Sequence, residues 1–195
     1  MRLTPLAAAL LAASALAGCT FKGVPDPKVS ARDAEWMALV PDVEKDPQFG
    51  RYEVADPTGE APGTIVVETR ERLLYLVLPN RRAIRYGVAV GDEAFGWTGT
   101  SRIARKAEWP AWNPPAEMKR RWPHVHPMAG GPMNPLGARA LYLYEGARDT
   151  LYRIHGTNEP ESIGRAASSG CIRMRNIDVV DLYARVEAGA KVIVR

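Results

Sequence analysis

From residue 63 onward the chain is built of short β-branched and aromatic runs, each closed by glycine, proline or a charged turn. Such runs are too short for long helices and read as strands. Residues 64–69 (TIVVET) and 73–79 (LLYLVLP) flank Arg70-Glu71-Arg72, the spacing of a hairpin. Residues 83–91 (AIRYGVAVG) form a third strand and residues 99–106 a fourth, in which Thr100, Ile103 and Lys106 alternate poorly. Pro114-Pro115 opens a short helix over 116–121, with proline at its first turn. A Pro/Gly-rich loop over 123–135 follows, then strands over 140–145 (ALYLYE) and 151–155 (LYRIH) joined through Gly146. Asn176 is placed to cap a helix over 177–186 that ends near Gly189, and 191–195 is a last strand. The expected fold is mainly β with short helices, a curved or sandwich-like sheet domain over 63–195.

Upstream the composition differs. Arg2 precedes an apolar run from Leu6 to Gly18. Thirteen helical residues cover about 20 Å, short of the roughly 30 Å hydrocarbon core. The run has no polar face, so it reads as a secretory leader over 1–18 rather than a span or a core helix. Leu16-Ala17-Gly18-Cys19 resembles the bacterial lipobox, which makes Cys19 the expected lipidation site and a membrane anchor. Residues 19–62 are polar and dotted with proline (Pro25, Pro27, Pro41, Pro47, Pro57, Pro62), the composition of an extended tether. Within it Ser30-Ala31-Arg32-Asp33 caps a short helix through Val40.

The formal net charge is +4. An exported protein does not meet chromosomal DNA, so no nucleic-acid partner is expected, and the basic surface faces cell wall or lipid. Thr20 after Cys19, in place of the Asp that signals inner-membrane retention in enterobacterial-type sorting, leans toward an outer membrane. The chain has two cysteines, Cys19 and Cys171. With Cys19 lipidated, Cys171 is a solitary thiol in an oxidising compartment; reactive chemistry and an inert buried thiol both account for it, and a Cys19–Cys171 disulfide is the third alternative.

The chemistry-bearing segment runs from His155-Gly156-Thr157-Asn158-Glu159-Pro160 to Ser168-Ser169-Gly170-Cys171-Ile172-Arg173-Met174-Arg175-Asn176. Thiol acyl transfer needs a thiolate, and an ordinary cysteine near pKa 8.5 is mostly protonated at neutral pH. A neighbouring imidazole can take the proton and stabilise the thiolate as an ion pair. The second ring nitrogen needs an acceptor that holds the tautomer, and the tetrahedral oxyanion needs preorganised N–H donors. His155 ends a strand, and Ser169 and Gly170 let the backbone turn before Cys171. Asn176 begins a helix whose positive end is near the thiolate. Arg173, two residues past Cys171, emerges on the same side of an extended segment and can pair with a substrate carboxylate. A surface histidine and an inert cysteine are the plainer readings, and spacing alone does not exclude them.

HGTNEP and SSGCIRMRN together resemble the active-site signature of the YkuD-type L,D-transpeptidases. TIVVET, LYLVLP, GTSRIARKAEWPAWNPP and GGPMNPLGARALYLY are also similar to that family's domain, so the resemblance covers about residues 63–195. It implies a curved β-sandwich, Cys171 as nucleophile, His155 as base and the Gly156 carbonyl as the group that orients His155. It assigns the oxyanion contacts to the N–H groups of Ser169, Gly170 and Cys171, and the substrate contacts to Arg173 and Asn176. Ser169 stands where many members carry histidine, but His155 and the backbone donors remain. The implied substrates are peptidoglycan stem peptides. The acceptor is an amine on another stem, on a protein, or on a free D-amino acid; water as acceptor gives an L,D-carboxypeptidase. No metal or organic cofactor is implied, and carbapenem-type β-lactams are expected to acylate the thiol. The rival from another class is a non-catalytic wall-binding lipoprotein.

Other features carry less. His124-Val125-His126 has the alternation of a metal pair, but flanking prolines favour a loop. Trp97, Trp109, Trp112 and Trp122 suit either core packing or sugar stacking. The Arg81-Arg82-Arg85 and Lys119-Arg120-Arg121 groups read as solvated faces.

Overall fold

The β-branched runs pair into a sheet that closes around its own apolar face. The computed structural model describes residues 21–41, 43–44, 46–91, 96–168 and 170–195; the leader, Cys19 and Ser169 lie outside the described residues. In chain order the elements are β1 (Lys22–Gly23), α1 (Ala31–Ala38), β2 (Tyr52–Ala55), β3 (Ile65–Glu68), β4 (Leu73–Leu78), β5 (Arg82–Gly87), β6 (Val90–Gly91) and β7 (Gly99–Glu108). Then come α2 (Ala116–Arg121), β8 (Arg139–Glu145), β9 (Arg148–His155), β10 (Ala166–Ser168), β11 (Ile172–Arg173), α3 (Asn176–Arg185) and β12 (Lys191–Val194). Ten strands form one sheet in the order β1-β2-β5-β4-β3-β12-β7-β8-β9-β11, and β6 and β10 form a separate parallel pair. The fold is mostly β with few short helices, as the pattern of short runs requires.

The expected hairpin forms, with Ile65 opposite Leu76 and Val67 opposite Leu74. Alternate residues of β3, β4, β5, β8 and β12 meet in one buried cluster with Val179 and Leu182 of α3. Strands this far apart in sheet order share a core only if the sheet curls. Helix α3 fills the concavity: the Tyr86 hydroxyl donates to Asp181 Oδ2 at 2.7 Å, and Lys106 Nζ donates to the Tyr183 and Val186 carbonyls at 2.8 and 2.6 Å. The Lys106 ammonium thereby satisfies carbonyls of the last helical turn.

Two strand irregularities shape the functional face. In β7 the register shifts between Ile103 and Arg105, which lie opposite Leu143 and Tyr142. This bulge explains the poor alternation of the fourth run and turns the residues after Ala104 to the opposite faces. In β9 the register shifts between the partners of Tyr142 and Tyr144, which are Arg153 and Asp149.

The tether expected over 19–62 is not what residues 21–55 form. Ser30 caps α1 as expected, accepting from the Asp33 N–H at 3.1 Å. But β1 and β2 extend the sheet beside β5, and α1 docks on the body. Buried Asp33 accepts from both Arg139 Nη1 and Nη2, at 3.1 and 2.7 Å, and from Trp109 Nε1 at 2.7 Å. Trp36 meets Trp109 edge-on with ring centroids 5.1 Å apart. Buried Arg51 pairs with Asp26 and Asp178 at 2.5 and 3.2 Å. The prolines punctuate short docked elements; their partners lie up to 127 residues away, beyond the reach of local composition.

Candidate active site

Alternation along β9 sends its side chains two ways. Ile154 is buried in the core, so Arg153 and His155 face the opposite side, into a cavity of about 970 Å³. Cys171 and Arg173 line the same cavity, with Trp112, Trp122 and Tyr152. The two ends of the sequence signature therefore meet in one concave site.

Backbone pairing holds them there. Strand β11 runs parallel to β9, with Ile172 opposite Ile154 and Arg173 opposite His155. On its other side Arg173 exchanges backbone hydrogen bonds with Ala89 at 2.9 and 2.8 Å, and the Met174 N–H donates to the His155 carbonyl at 2.8 Å. Gly170, just before the thiol, has φ +122°, which a side chain would resist. Ser169 lies outside the described residues; of the three expected oxyanion residues, Gly170 and Cys171 are described.

His155 is 4% exposed, and its Nδ1 lies 2.5 Å from the Gly156 carbonyl oxygen. With the proton on Nδ1, Nε2 is the basic nitrogen. Burial pushes the imidazole down to about 4, and the cations of Arg173 and Arg153 act in the same direction. Burial likewise pushes the Cys171 thiol up, against the influence of Arg153. Desolvation thus opposes the thiolate–imidazolium pair, and a neutral thiol and neutral imidazole are the favoured forms near pH 7. The thiol Sγ lies 3.9 Å from the Leu151 carbonyl. Leu151 has φ +64° and sits in the β9 irregularity, where its N–H donates to Asp149 Oδ1 at 2.8 Å.

Asn176 is placed differently from either expected use. It is the first residue of α3, the cap position falls on Arg175, and no side chain caps the helix. Its side chain is buried and does not line the cavity. Oδ1 accepts from the Ala138 and Thr157 N–H groups at 2.9 and 3.2 Å, and Nδ2 donates to the Thr157 carbonyl at 2.9 Å. This amide supports the turn that follows His155 and has no free face for substrate. Gly156 makes room for it, since a Cβ there would stand 2.2 Å from Asn176 Oδ1.

Arg173 lines the cavity as expected, but its Nη1 is paired with Glu159 Oε2 at 2.7 Å. A substrate carboxylate must share or replace that partner. Three contributors had no place in the motif reading: Arg153, Tyr142 and Leu151. Arg153 shares His155's face by simple alternation and was legible in LYRIH; the Leu151 carbonyl has no sequence signal. Trp112 and Trp122 border the cavity, whereas Trp109 belongs to a second buried cluster. His124 and His126 are exposed, and no group of three metal-binding side chains occurs among the described residues.

Known proteins resemble this chain in sequence and fold. YbiS of Escherichia coli, named a probable L,D-transpeptidase, is 33% identical over 141 residues, which is 67% of this chain and 43% of YbiS. The chain thus spans about two-fifths of that relative. A crystal structure from Brucella melitensis, described as a probable carnitine operon oxidoreductase, is 46% identical with TM-score 0.53, covering 83% of this chain and 99% of that one. An L,D-transpeptidase from Mycobacterium smegmatis shares the fold at 16% identity and TM-score 0.52, over 68% of this chain and 58% of its own. The model of the YkuD L,D-transpeptidase catalytic domain matches residues 62–194. With that domain spanning most of its length, this chain belongs to the L,D-transpeptidase catalytic domain family.

Proposed function

We propose that this chain is an exported, lipid-anchored peptidoglycan L,D-transpeptidase that works through a Cys171 thioester. The observation that carries the reading is the meeting of Cys171 and His155 in one cavity, with His155 Nδ1 held by the Gly156 carbonyl. Cys171 Sγ attacks the amide carbonyl between the L-centre of the third stem residue and the D-residue at position four. Its proton passes to His155 Nε2 as the S–C bond forms. The C–N bond then breaks, and His155 returns the proton to the departing D-amino acid. The N–H groups of Ser169, Gly170 and Cys171 receive the oxyanion. An amine of another stem, a protein or a free D-amino acid attacks the thioester and releases the thiol. A neutral resting pair suits this sequence, because the base is already unprotonated near pH 7.

Asn176 takes a positioning role here, through Gly156 and Thr157, in place of substrate contact. Cys19 supplies the anchor, with an outer membrane the favoured location where the source has one. Incubation with disaccharide-tetrapeptides tests the reading by mass spectrometry. Loss of the terminal D-residue and a mass adduct on Cys171 are expected, both absent in Cys171→Ala. Unaltered muropeptides without an adduct would make the protein a wall-binding lipoprotein, and hydrolysis without transfer would make it a carboxypeptidase.

A further inference from the structure

Four arginines line the cavity, and Arg121, on α2, lies 3.8 Å from Glu117. Arg153 holds both Asp149 carboxylate oxygens at 2.6 and 2.8 Å, and Arg173 holds Glu159 at 2.7 Å. Arg105 also lines the cavity and is exposed, yet it has no carboxylate partner among the described residues. Its guanidinium lies 3.5 Å from the centroid of the Tyr142 ring, whose other neighbour is Arg153 at 4.4 Å. An arginine stacked on an aromatic face keeps its N–H edge free to receive a planar anion.

The β7 bulge is what brings it there. Ile103 faces the core, and uninterrupted alternation would send Arg105 the same way. The register shift at Ala104 instead sets Arg105 opposite Tyr142, which is itself opposite Arg153. Cys171 immediately precedes β11, the next strand, whose Ile172 lies opposite Ile154, the residue after Arg153. Arg105 lies on the first and Cys171 at the start of the last of four neighbouring strands, their backbones separated by about 14 Å at a strand spacing of about 4.8 Å. That span exceeds one extended residue, about 3.5 Å, even after the arginine's own reach.

We infer that Arg105 is a specificity-determining residue for an anionic acyl donor, receiving a carboxylate on the donor residue that precedes the acyl residue. The inference rests on the acyl-transfer reading above and names the donor chemistry that reading leaves open. Binding separates the two. On the Cys171→Ala chain, calorimetry compares two synthetic stem tetrapeptides whose second residue carries either a free carboxylate or a carboxamide. The carboxylate peptide is expected to bind about tenfold more tightly, the scale of a charge-assisted pair. In Arg105→Gln that preference falls to within about twofold, and Arg105→Lys, which keeps the charge but loses the flat stack, retains part of it. An unchanged preference in Arg105→Gln, equal weakening of both peptides, or no binding of either would overturn the inference. Turnover of the same peptides by the chain with Cys171 intact reports separately on acyl transfer. An Arg105-dependent preference without turnover would sink the transferase reading alone.

Discussion

The Gly156 carbonyl oxygen lies 2.5 Å from His155 Nδ1, and Asn176 Oδ1 occupies the space where a Gly156 side chain would be. The orientation of His155, the proposed base, therefore depends on a glycine that admits an amide from α3. Gly156→Ala is expected to cost about 2 kcal/mol of stability, the scale of overpacking in a closed interior, and to lower kcat. Removing the obstructing amide in Gly156→Ala/Asn176→Ala should recover part of the packing loss, giving a clearly non-additive cycle in urea unfolding. Additive losses would mean that the two residues do not share this space.

The depressed imidazole makes stability fall in mild acid. Above pH 6.5 His155 is neutral in both the folded and unfolded chain, so it contributes no pH dependence. Below that, the unfolded chain takes up a proton that the folded site, at about 4, refuses. Each pH unit in this window removes about 1.4 kcal/mol, for a total of about 3 kcal/mol. Urea midpoints between pH 7 and pH 4 should decline more steeply for the unsubstituted chain than for His155→Gln. Parallel slopes would place the folded pKa near its ordinary value.

Activity should survive acid further than an ordinary histidine base allows. The acid limb of kcat/KM reports the free enzyme's base, so half-loss is expected near pH 4 rather than 6.5. A midpoint at 6.5 would show that the base is not desolvated.

Docking of α1 should be worth several kcal/mol. Asp33 is held well below the ordinary carboxylate range, chiefly by its hydrogen bonds from Arg139. Asp33→Ala leaves the Trp109 N–H unpaired and the buried guanidinium with only the Ala138 carbonyl at 2.8 Å and Glu108 at 3.9 Å, a loss of about 3 kcal/mol. Chemical denaturation measures it directly; a loss under about 1 kcal/mol would mean that α1 is peripheral to the fold.

Leu151 holds a left-handed conformation that costs an L-residue about 1–2 kcal/mol. Leu151→Gly should therefore raise the melting temperature by a few degrees while keeping the carbonyl near Cys171, and Leu151→Val should lower it. The opposite order would indicate that the exposed leucyl side chain contributes more than its backbone costs.

Much of this was legible because strands and caps are local. TIVVET and LLYLVLP carried their hairpin, Ser30 its cap, and Pro115 the start of α2. The signature brought Cys171 and His155 together because β11 lies beside β9, though a two-residue strand leaves almost no periodicity to read. What escaped depended on distant partners. Asp33 and Arg51 look like tether residues until Arg139 and Asp178 are beside them. Asn176 carries a capping residue's identity, but its amide turns to another loop. Arg105 reads as an unremarkable cation in a poorly alternating strand, because one bulged residue decides which face it joins.

The first strand also changes the picture of the anchor. Between Cys19 and Lys22, where β1 begins, stand only Thr20 and Phe21. With the proposed lipid on Cys19, three extended steps of about 3.5 Å each allow the sheet edge about 10 Å from the point of attachment. A leash that short gives the catalytic body almost no vertical range. An anchor proposed at that position therefore implies a reach confined to a thin shell next to the bilayer, and wall strands lying deeper would have to be brought to it.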